Sequence, residues 1–136
     1  MAVSHMVDSE KGILHVIREG RVSAEDETAA LRSRLQDPAV TYGIPTLVDC
    51  RYLTTADSEE MVRHLAETAM LNSPPPLSGP TAILAPGKTE RAMMALYAAL
   101  VHRTHPHTKV FRRYEDAREW LDTMRNYTRS HPLTAG

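Results

Sequence analysis

The side chains best suited to chemistry are concentrated in one stretch, residues 46–61 (TLVDCRYLTTADSEEM). Asp49 and Arg51 follow an apolar run that suits a buried strand, and they are expected to end it at the carboxyl edge of a sheet, where open α/β sheets bind ligands. The plainer interpretation of this pair is a salt bridge, mutual or to the loop, that shapes the following turn. Asp57 or Ser58 can cap the next helix.

Ser58 carries the most specific functional hypothesis. A hydroxyl at a helix N-terminus is accessible to a kinase, and the helix dipole favours a phosphate at that position. Asp57, Glu59 and Glu60 would repel the phosphate. The sequence therefore leaves two roles open for Ser58, a helix cap and a phosphorylation site.

A second candidate site, for binding a phosphate or another anion, is Gly87-Lys88-Thr89, which follows a predicted strand. A nucleotide-binding phosphate loop would need a further glycine where this chain has Ala82, so nucleotide binding is not expected. A single anion can still bind at a helix N-terminus beside Lys88. The plainer interpretation is a turn from strand to helix with Thr89 as the cap.

His102, His105 and His107 are close enough in sequence for their imidazoles to share a metal ion. No carboxylate or cysteine lies among them and Pro106 stiffens the loop, so no physiological metal site is predicted. Adventitious binding of nickel or zinc by these histidines is the favoured alternative. Cys50 is expected to be a small buried side chain. No histidine can be assigned as its base, so neither a catalytic residue nor a cofactor is predicted.

The composition limits the class of protein. The chain has 136 residues, enough for one domain with a real core, and its 42% hydrophobic and 24% charged residues are ordinary for a soluble globular protein. A net charge of -1 argues against nucleic-acid binding, which needs a basic face. No apolar run approaches the roughly 20 residues of a membrane span and no secretion signal is visible, so the cytoplasm is expected. The opening residues 1–6, MAVSHM, contain a Ser-His-Met of the kind that cloning vectors leave, and residues 126–136 are expected to form a flexible tail.

Hydrophobic periodicity and turn signals predict a hairpin followed by alternating helices and strands. The predicted strands are residues 3–8, 13–17, 46–48, 81–85 and 109–111, and the predicted helices begin near Ser23, Asp57, Thr89 and Tyr114. Single strands that alternate with helices favour a mostly parallel sheet, with the opening strand antiparallel at one edge. The predicted fold class is therefore α/β, a mixed sheet of about five strands with about four helices. A stiff proline-rich connector is expected at residues 72–80, and Trp120 and Leu121 are expected to face inward.

The chain resembles the SpoIIAA-like branch of the STAS domain superfamily (sulphate transporters and anti-sigma-factor antagonists), small bacterial proteins mostly without an assigned activity. The resemblance covers nearly the whole chain, in the order GILHVIREGRVSAED, LVDCR, PTAILAP and KVFRRYEDAREWL. Asp57-Ser58 lies where the anti-sigma-factor antagonists carry the Asp-Ser pair whose serine is phosphorylated. Glu59 and Glu60 replace the Ser-Gly that follows in those proteins.

The resemblance implies a non-enzymatic domain that binds a protein partner, or its own copy, through a rim formed by residues 51–58 and the nearby helix starts. The alternative is a pocket for a small anionic or lipid-like ligand at the same rim, and an enzyme is a third class. The predicted rim comprises Asp49, Arg51, Asp57, Ser58, Lys88 and Thr89. A deep pocket with converging polar groups would favour the ligand, and a flat apolar patch would favour the partner.

Overall fold

The computed structural model describes residues 2–72 and 79–130. The strands are β1 (Val3–Asp8), β2 (Ile13–Gly20), β3 (Thr46–Leu53), β4 (Thr81–Leu84) and β5 (Thr108–Phe111). The helices are α1 (Ala24–Gln36), α2 (Glu59–Asn72), α3 (Lys88–Val101) and α4 (Tyr114–Ser130). Most of the predicted proline-rich connector and the end of the predicted tail lie outside the described residues. Within residues 2–72 and 79–130, none of the helices has the length and apolar character needed to cross a membrane.

The strands form one five-stranded sheet in the order β1-β2-β3-β4-β5. β1 is antiparallel to β2, and every later neighbouring pair is parallel. Parallel neighbours need a crossover connection, and here α1, α2 and α3 supply it, one after each of β2, β3 and β4. The predicted α/β class and the antiparallel edge strand are confirmed.

The hairpin of β1 and β2 turns through a glycine and an aspartate. Gly12 has a φ of 63°, a left-handed conformation that glycine adopts without steric cost. The Asp8 carboxylate accepts hydrogen bonds from the backbone N–H groups of Glu10 and Lys11. Val3, within the opening MAVSHM, is 2% exposed and packs into the core, so β1 is part of the fold from its first residue.

One face of the sheet is covered by α4 through an apolar core. Its buried members are Ile13, Leu47, Ala82, Leu84, Ala117 and Leu121. Trp120 packs against this cluster, with its ring centre 5.5 Å from that of Phe111. The predicted inward orientation of Trp120 and Leu121 is therefore confirmed.

The other face is covered by α1, α2 and α3. The buried residues on this face form two separate clusters. Below α2 and α3 the buried residues are Cys50, Val62, Ile83, Ala85 and Met94, and below α1 they are Val3, Leu14, Val16, Ala30 and Ile44. Ala30 is the residue that α1 buries, whereas Leu35 on the same helix is 59% exposed. Because the one residue that α1 buries fully has a small side chain, the helix leaves space above the strands.

The prediction that the central strand ends at Asp49 is wrong. β3 continues to Leu53, because β2 pairs with it along this whole length, as far as Gly20 opposite Leu53. Asp49 and Arg51 therefore lie within β3, on the face that α4 covers. Side chains alternate between the two faces of a strand, so Cys50 points to the opposite face.

The helix starts are predicted correctly in part. Ser23 caps α1 in a capping box, in which its hydroxyl accepts from the N–H of Asp26 and the Asp26 carboxylate accepts from the N–H of Ser23. The expected cap at Thr89 is wrong. α3 begins at Lys88, its N-cap is Gly87, and Thr89 lies in its first turn.

Candidate functional site

The most highly charged part of the interior surrounds Arg18 in β2. Arg18 lies on the same face of the strand as Leu14 and Val16, below the three helices, and is 3% exposed. Its Nη1 and Nη2 donate to the two carboxylate oxygens of Asp57 at 2.7 and 2.9 Å, and its Nε donates to Glu27 at 2.7 Å. One arginine thus joins the sheet to α1 and to the start of α2.

Glu90, in the first turn of α3, completes what we call the Arg18 cluster: Arg18, Glu27, Asp57 and Glu90. Oε2 of Glu90 accepts a hydrogen bond from the backbone N–H of Asp57 at 3.0 Å, and Oε1 lies 4.0 Å from Nη1 of Arg18. Oε1 is buried and has no hydrogen-bond partner among residues 2–72 and 79–130. The cluster therefore links β2 to α1, to the segment before α2 and to α3.

Burial and crowding move the pKa values of two of these acids in opposite directions. Burial, reinforced by the neighbouring Asp57, raises the pKa of Glu90 to about 8. Burial also acts to raise the pKa of Asp57, but hydrogen bonds with Arg18 and Glu90 outweigh it and lower that pKa. At neutral pH Asp57 is thus ionised while Glu90 keeps its proton, which limits the repulsion among the acids around Arg18.

Cys50 lies beside the Arg18 cluster, with its Sγ 3.7 Å from Nη1 of Arg18. Burial raises the pKa of Cys50 to about 12, although Arg18 acts to lower it. Its thiol is therefore neutral at physiological pH and a poor nucleophile. The prediction of a small buried side chain is confirmed.

A cavity of about 450 Å³ lies between α1, α2, α3 and the sheet, in the space that α1 leaves uncovered. Its lining is mostly apolar, and the main contributors from the strands and helices are Leu14, Val16, Val48, Ile83, Leu31 and Leu65. The lining extends to Thr46 and Thr81, the first residues of β3 and β4. The cavity thus reaches the amino end of the parallel strands, away from the carboxyl edge on which the predicted rim was placed.

A few polar side chains converge on this cavity, among them Arg18, Glu27, Arg34 and Tyr97. Nη1 of Arg34 is buried and has no hydrogen-bond partner among the described residues. Burial lowers the pKa of Arg34, with Glu27 acting in the opposite direction, and burial raises the pKa of Tyr97 to about 12. The cavity and the Arg18 cluster share a wall, since Arg18 and Glu27 belong to both.

The structure divides the predicted rim between the two faces of the sheet. Asp49 and Arg51 lie on the α4 side, 2.8 Å apart, so the predicted salt bridge is mutual. It does not shape a turn, because β3 continues to Leu53. The Arg51 guanidinium carbon lies 5.4 Å from the ring centre of Tyr52 and 5.5 Å from that of Tyr114. Asp57 belongs to the Arg18 cluster on the other side.

The remaining predicted residues, Ser58, Lys88 and Thr89, are exposed at the starts of α2 and α3. The hydroxyl of Ser58 accepts a hydrogen bond from the N–H of Met61 at 3.1 Å, so Ser58, and not Asp57, caps α2. None of the six predicted rim residues lines the cavity. Partner binding at the rim and phosphorylation of Ser58 stay predictions.

The histidines after α3 face different surroundings. Nδ1 of His105 lies 2.7 Å from Oγ1 of Thr104, and His105 lines the cavity, whereas His102 is exposed. In the part of the chain that the structure describes, no group of three histidine, cysteine or acidic side chains is placed to hold a metal ion.

Four functional candidates were missed from the sequence: Arg18, Glu27, Arg34 and Glu90. Arg18 continues the alternation of Leu14 and Val16, so strand periodicity places it inward and predicts a buried cation in need of an acid. Glu27 and Arg34 flank Leu31 at helical spacing, which puts all of them on one face of α1. Glu90 gave no comparable signal, because an acid in a first helical turn is usually exposed.

If Ser58 acts as a helix cap, Ser58→Ala should lower the free energy of unfolding by about 1 kcal/mol, because the N–H of Met61 loses its acceptor. Ser58→Asp should keep the cap, since a carboxylate also accepts from that N–H. Urea unfolding of the variants measures both effects. Thr55→Ala, an exposed hydroxyl in the preceding loop, is the control and should change little.

The phosphorylation hypothesis for Ser58 is tested by intact-mass measurement after incubation with a cognate kinase. A stoichiometric gain of one phosphate at Ser58, with loss of a bound partner, would contradict a purely structural role for this hydroxyl.

No protein-family model and no curated protein matches this sequence. Among solved structures, the chain is similar to an uncharacterized protein from the DUF3478 family of Shewanella loihica, which has a SpoIIAA-like fold. The two share 18% identity with a TM-score of 0.57, over 88% of this chain and 92% of that one. At this identity the likeness concerns the fold alone. The chain has a SpoIIAA-like fold, the fold of STAS domains, as the sequence predicted.

Proposed function

We propose that this SpoIIAA-like domain binds a small, largely apolar molecule in the cavity between α1 and the sheet. The observation that carries the proposal is the cavity itself, about 450 Å³ in volume, lined by apolar side chains with a few converging polar groups. Small-molecule pockets typically range from about 300 to 1,000 Å³ and combine an apolar lining with a few polar groups. This is the predicted ligand-binding alternative, placed at a different site from the predicted rim.

A binding role is supported more strongly than a catalytic one. The buried thiol of Cys50 has Arg18 beside it, and an arginine does not accept a proton at physiological pH. Asp57 and Glu27 are each hydrogen-bonded to Arg18. These groups hold the helices on the sheet, which suits a rigid wall for a binding cavity.

A protein partner at the rim is the second candidate function, and one observation favours it. Arg51 contacts the rings of both Tyr52 and Tyr114, and Tyr52 is 52% exposed. Arginine and tyrosine are over-represented among the residues that dominate binding energy at protein interfaces. Such a surface suits another protein or a second copy of this chain.

The cavity is tested with N-phenyl-1-naphthylamine, a neutral probe whose fluorescence rises in apolar surroundings. We expect saturable binding of one probe per chain. Ala69→Trp, which places an indole in the cavity, should abolish the binding. Met70→Trp, at the adjacent and 40% exposed position on α2, is the matched control and should retain it. An absence of saturable binding, or equal binding by both variants, would contradict the proposed function.

A further inference from the structure

We propose that the cavity holds an amphipathic monoanion, an apolar chain that ends in a carboxylate, and that Arg34 binds the carboxylate. The inference rests on the proposed function, because it specifies what the same cavity takes. It also assigns a role to Arg34, a residue that the fold alone does not require.

Arg34 is the charged group of the cavity whose hydrogen bonding is incomplete. Its side chain makes no hydrogen bond or ion pair with any residue in 2–72 or 79–130, and its Nη1 is buried. A buried donor of a cation that has no acceptor is unfavourable, and burial accordingly lowers the pKa of Arg34. A carboxylate would satisfy it, since its two oxygens match the paired N–H groups of a guanidinium.

The surroundings of Arg34 favour a single negative charge on the ligand. Glu27 interacts electrostatically with Arg34, but its Oε1 is already hydrogen-bonded to Nε of Arg18 at 2.7 Å. Glu27 therefore stabilises the charge of Arg34 without filling its hydrogen-bonding positions. A dianionic phosphate would be repelled by Glu27 more strongly than a carboxylate.

The rest of the cavity suits an apolar chain attached to that carboxylate. Tyr97 lines the cavity near Arg34, and its hydroxyl can donate a hydrogen bond to a carboxylate oxygen. The sheet contributes a floor of Leu14, Val16, Val48 and Ile83. Leu35 and Tyr42 line the cavity while being 59% and 66% exposed, which places apolar surface at its mouth.

The test compares ligands that differ only in their head group. Octanoate, octanol and octyl phosphate are titrated against the wild-type chain at pH 7, both by displacement of N-phenyl-1-naphthylamine and by the rise in melting temperature without the probe. We expect octanoate to bind at least about tenfold more tightly than octanol, and octyl phosphate to bind more weakly than octanoate.

Arg34→Met should remove the preference for octanoate over octanol. Arg32→Met is the matched control, since Arg32 is an exposed arginine on the same helix, and it should keep the preference. Arg34→Met is expected to fold, because methionine keeps the apolar stem and removes a buried Nη1 that has no acceptor among the described residues. Arg34→Lys should retain part of the preference, since it keeps the charge without the planar fork.

Equal affinity for octanoate and octanol in the wild type, or an unchanged preference in Arg34→Met, would overturn the role of Arg34. Tighter binding of octyl phosphate than of octanoate would overturn the assignment of a monoanion. Binding of the neutral probe without any preference for octanoate would contradict this inference alone and would remain consistent with the proposed function. A chain that neither binds the probe nor is stabilised by any of the ligands would contradict both.

Discussion

Replacing Arg18 by methionine should lower the free energy of unfolding by about 3–5 kcal/mol, because the substitution leaves buried carboxylates without their cation. Methionine retains most of the apolar packing, whereas Asp57 and Glu27 each lose a donor at 2.7 Å. The loss is a large part of the roughly 5–15 kcal/mol that stabilises a typical domain. Urea unfolding measures it as a lower midpoint with an unchanged slope.

Two further variants test whether the loss at Arg18 comes from the unpaired carboxylates. Arg21→Met, at an exposed arginine just after β2, should leave the midpoint nearly unchanged. Asp57→Asn added to Arg18→Met should recover part of the lost stability, because it removes a carboxylate that no longer has a partner. An Arg18→Met protein as stable as the wild type would mean that these carboxylates reach water when the arginine is gone.

Glu90→Gln should stabilise the domain at alkaline pH, by about 2 kcal/mol at pH 9 once partial solvent access is allowed for. Burial raises the pKa of Glu90 from 4.5 to about 8, so between these values the folded chain keeps a proton that the unfolded chain releases. Wild-type stability therefore falls as the pH rises through this window and levels off above it. Glutamine stays neutral throughout, so the advantage of the variant should grow from pH 4.5 to pH 8.

The measurement is urea unfolding of wild type and Glu90→Gln at a series of pH values. Taking the difference between the two proteins cancels the titrating groups that do not contact Glu90. Asp57 does contact Glu90, but its lowered pKa affects stability only below its ordinary value of 3.8, outside this window. Glu60→Gln, at an exposed glutamate in the first turn of α2, is the matched control and should show no such trend. A stability difference at Glu90 that does not change with pH would show that this carboxyl ionises normally in the folded chain.

The architecture was predictable because it depends on local signals. Gly12 marks the hairpin turn, and Ser23 with Asp26 marks the start of α1, through turn and cap chemistry that involves near neighbours in sequence. Trp120 and Leu121 follow the period of an amphipathic helix. Signals of this kind are independent of the rest of the fold, and they were sufficient to predict a mostly parallel sheet with an antiparallel strand at one edge.

The candidate site was less predictable because its contacts join distant parts of the chain. Asp57 was expected at an exposed rim, yet its partner Arg18 lies 39 positions earlier in the sequence. An aspartate before a helix usually caps it, and only the tertiary arrangement shows that Ser58 takes that role here. Asp49 and Arg51 were paired correctly because they are two positions apart.

The cavity itself has no signature in the sequence. Leu31 and Leu35 have the spacing of a packed helix face, and that spacing is the same whether the face contacts the sheet or an open space. The distance between α1 and the strands decides between these outcomes, and it depends on how Ala30 and its neighbours pack. Periodicity could therefore identify the inward face of α1 without revealing that a cavity lies below it.

The Arg18 cluster also sets an order of events while the chain is being made. A ribosome adds Arg18, Glu27 and Asp57 well before Glu90, which follows Arg18 by roughly 70 residues, or several seconds of synthesis. Until α3 emerges, the backbone N–H of Asp57 lacks its acceptor on Glu90. The nascent domain thus holds an incomplete charged centre until α3 has been made, and only Glu90 completes it.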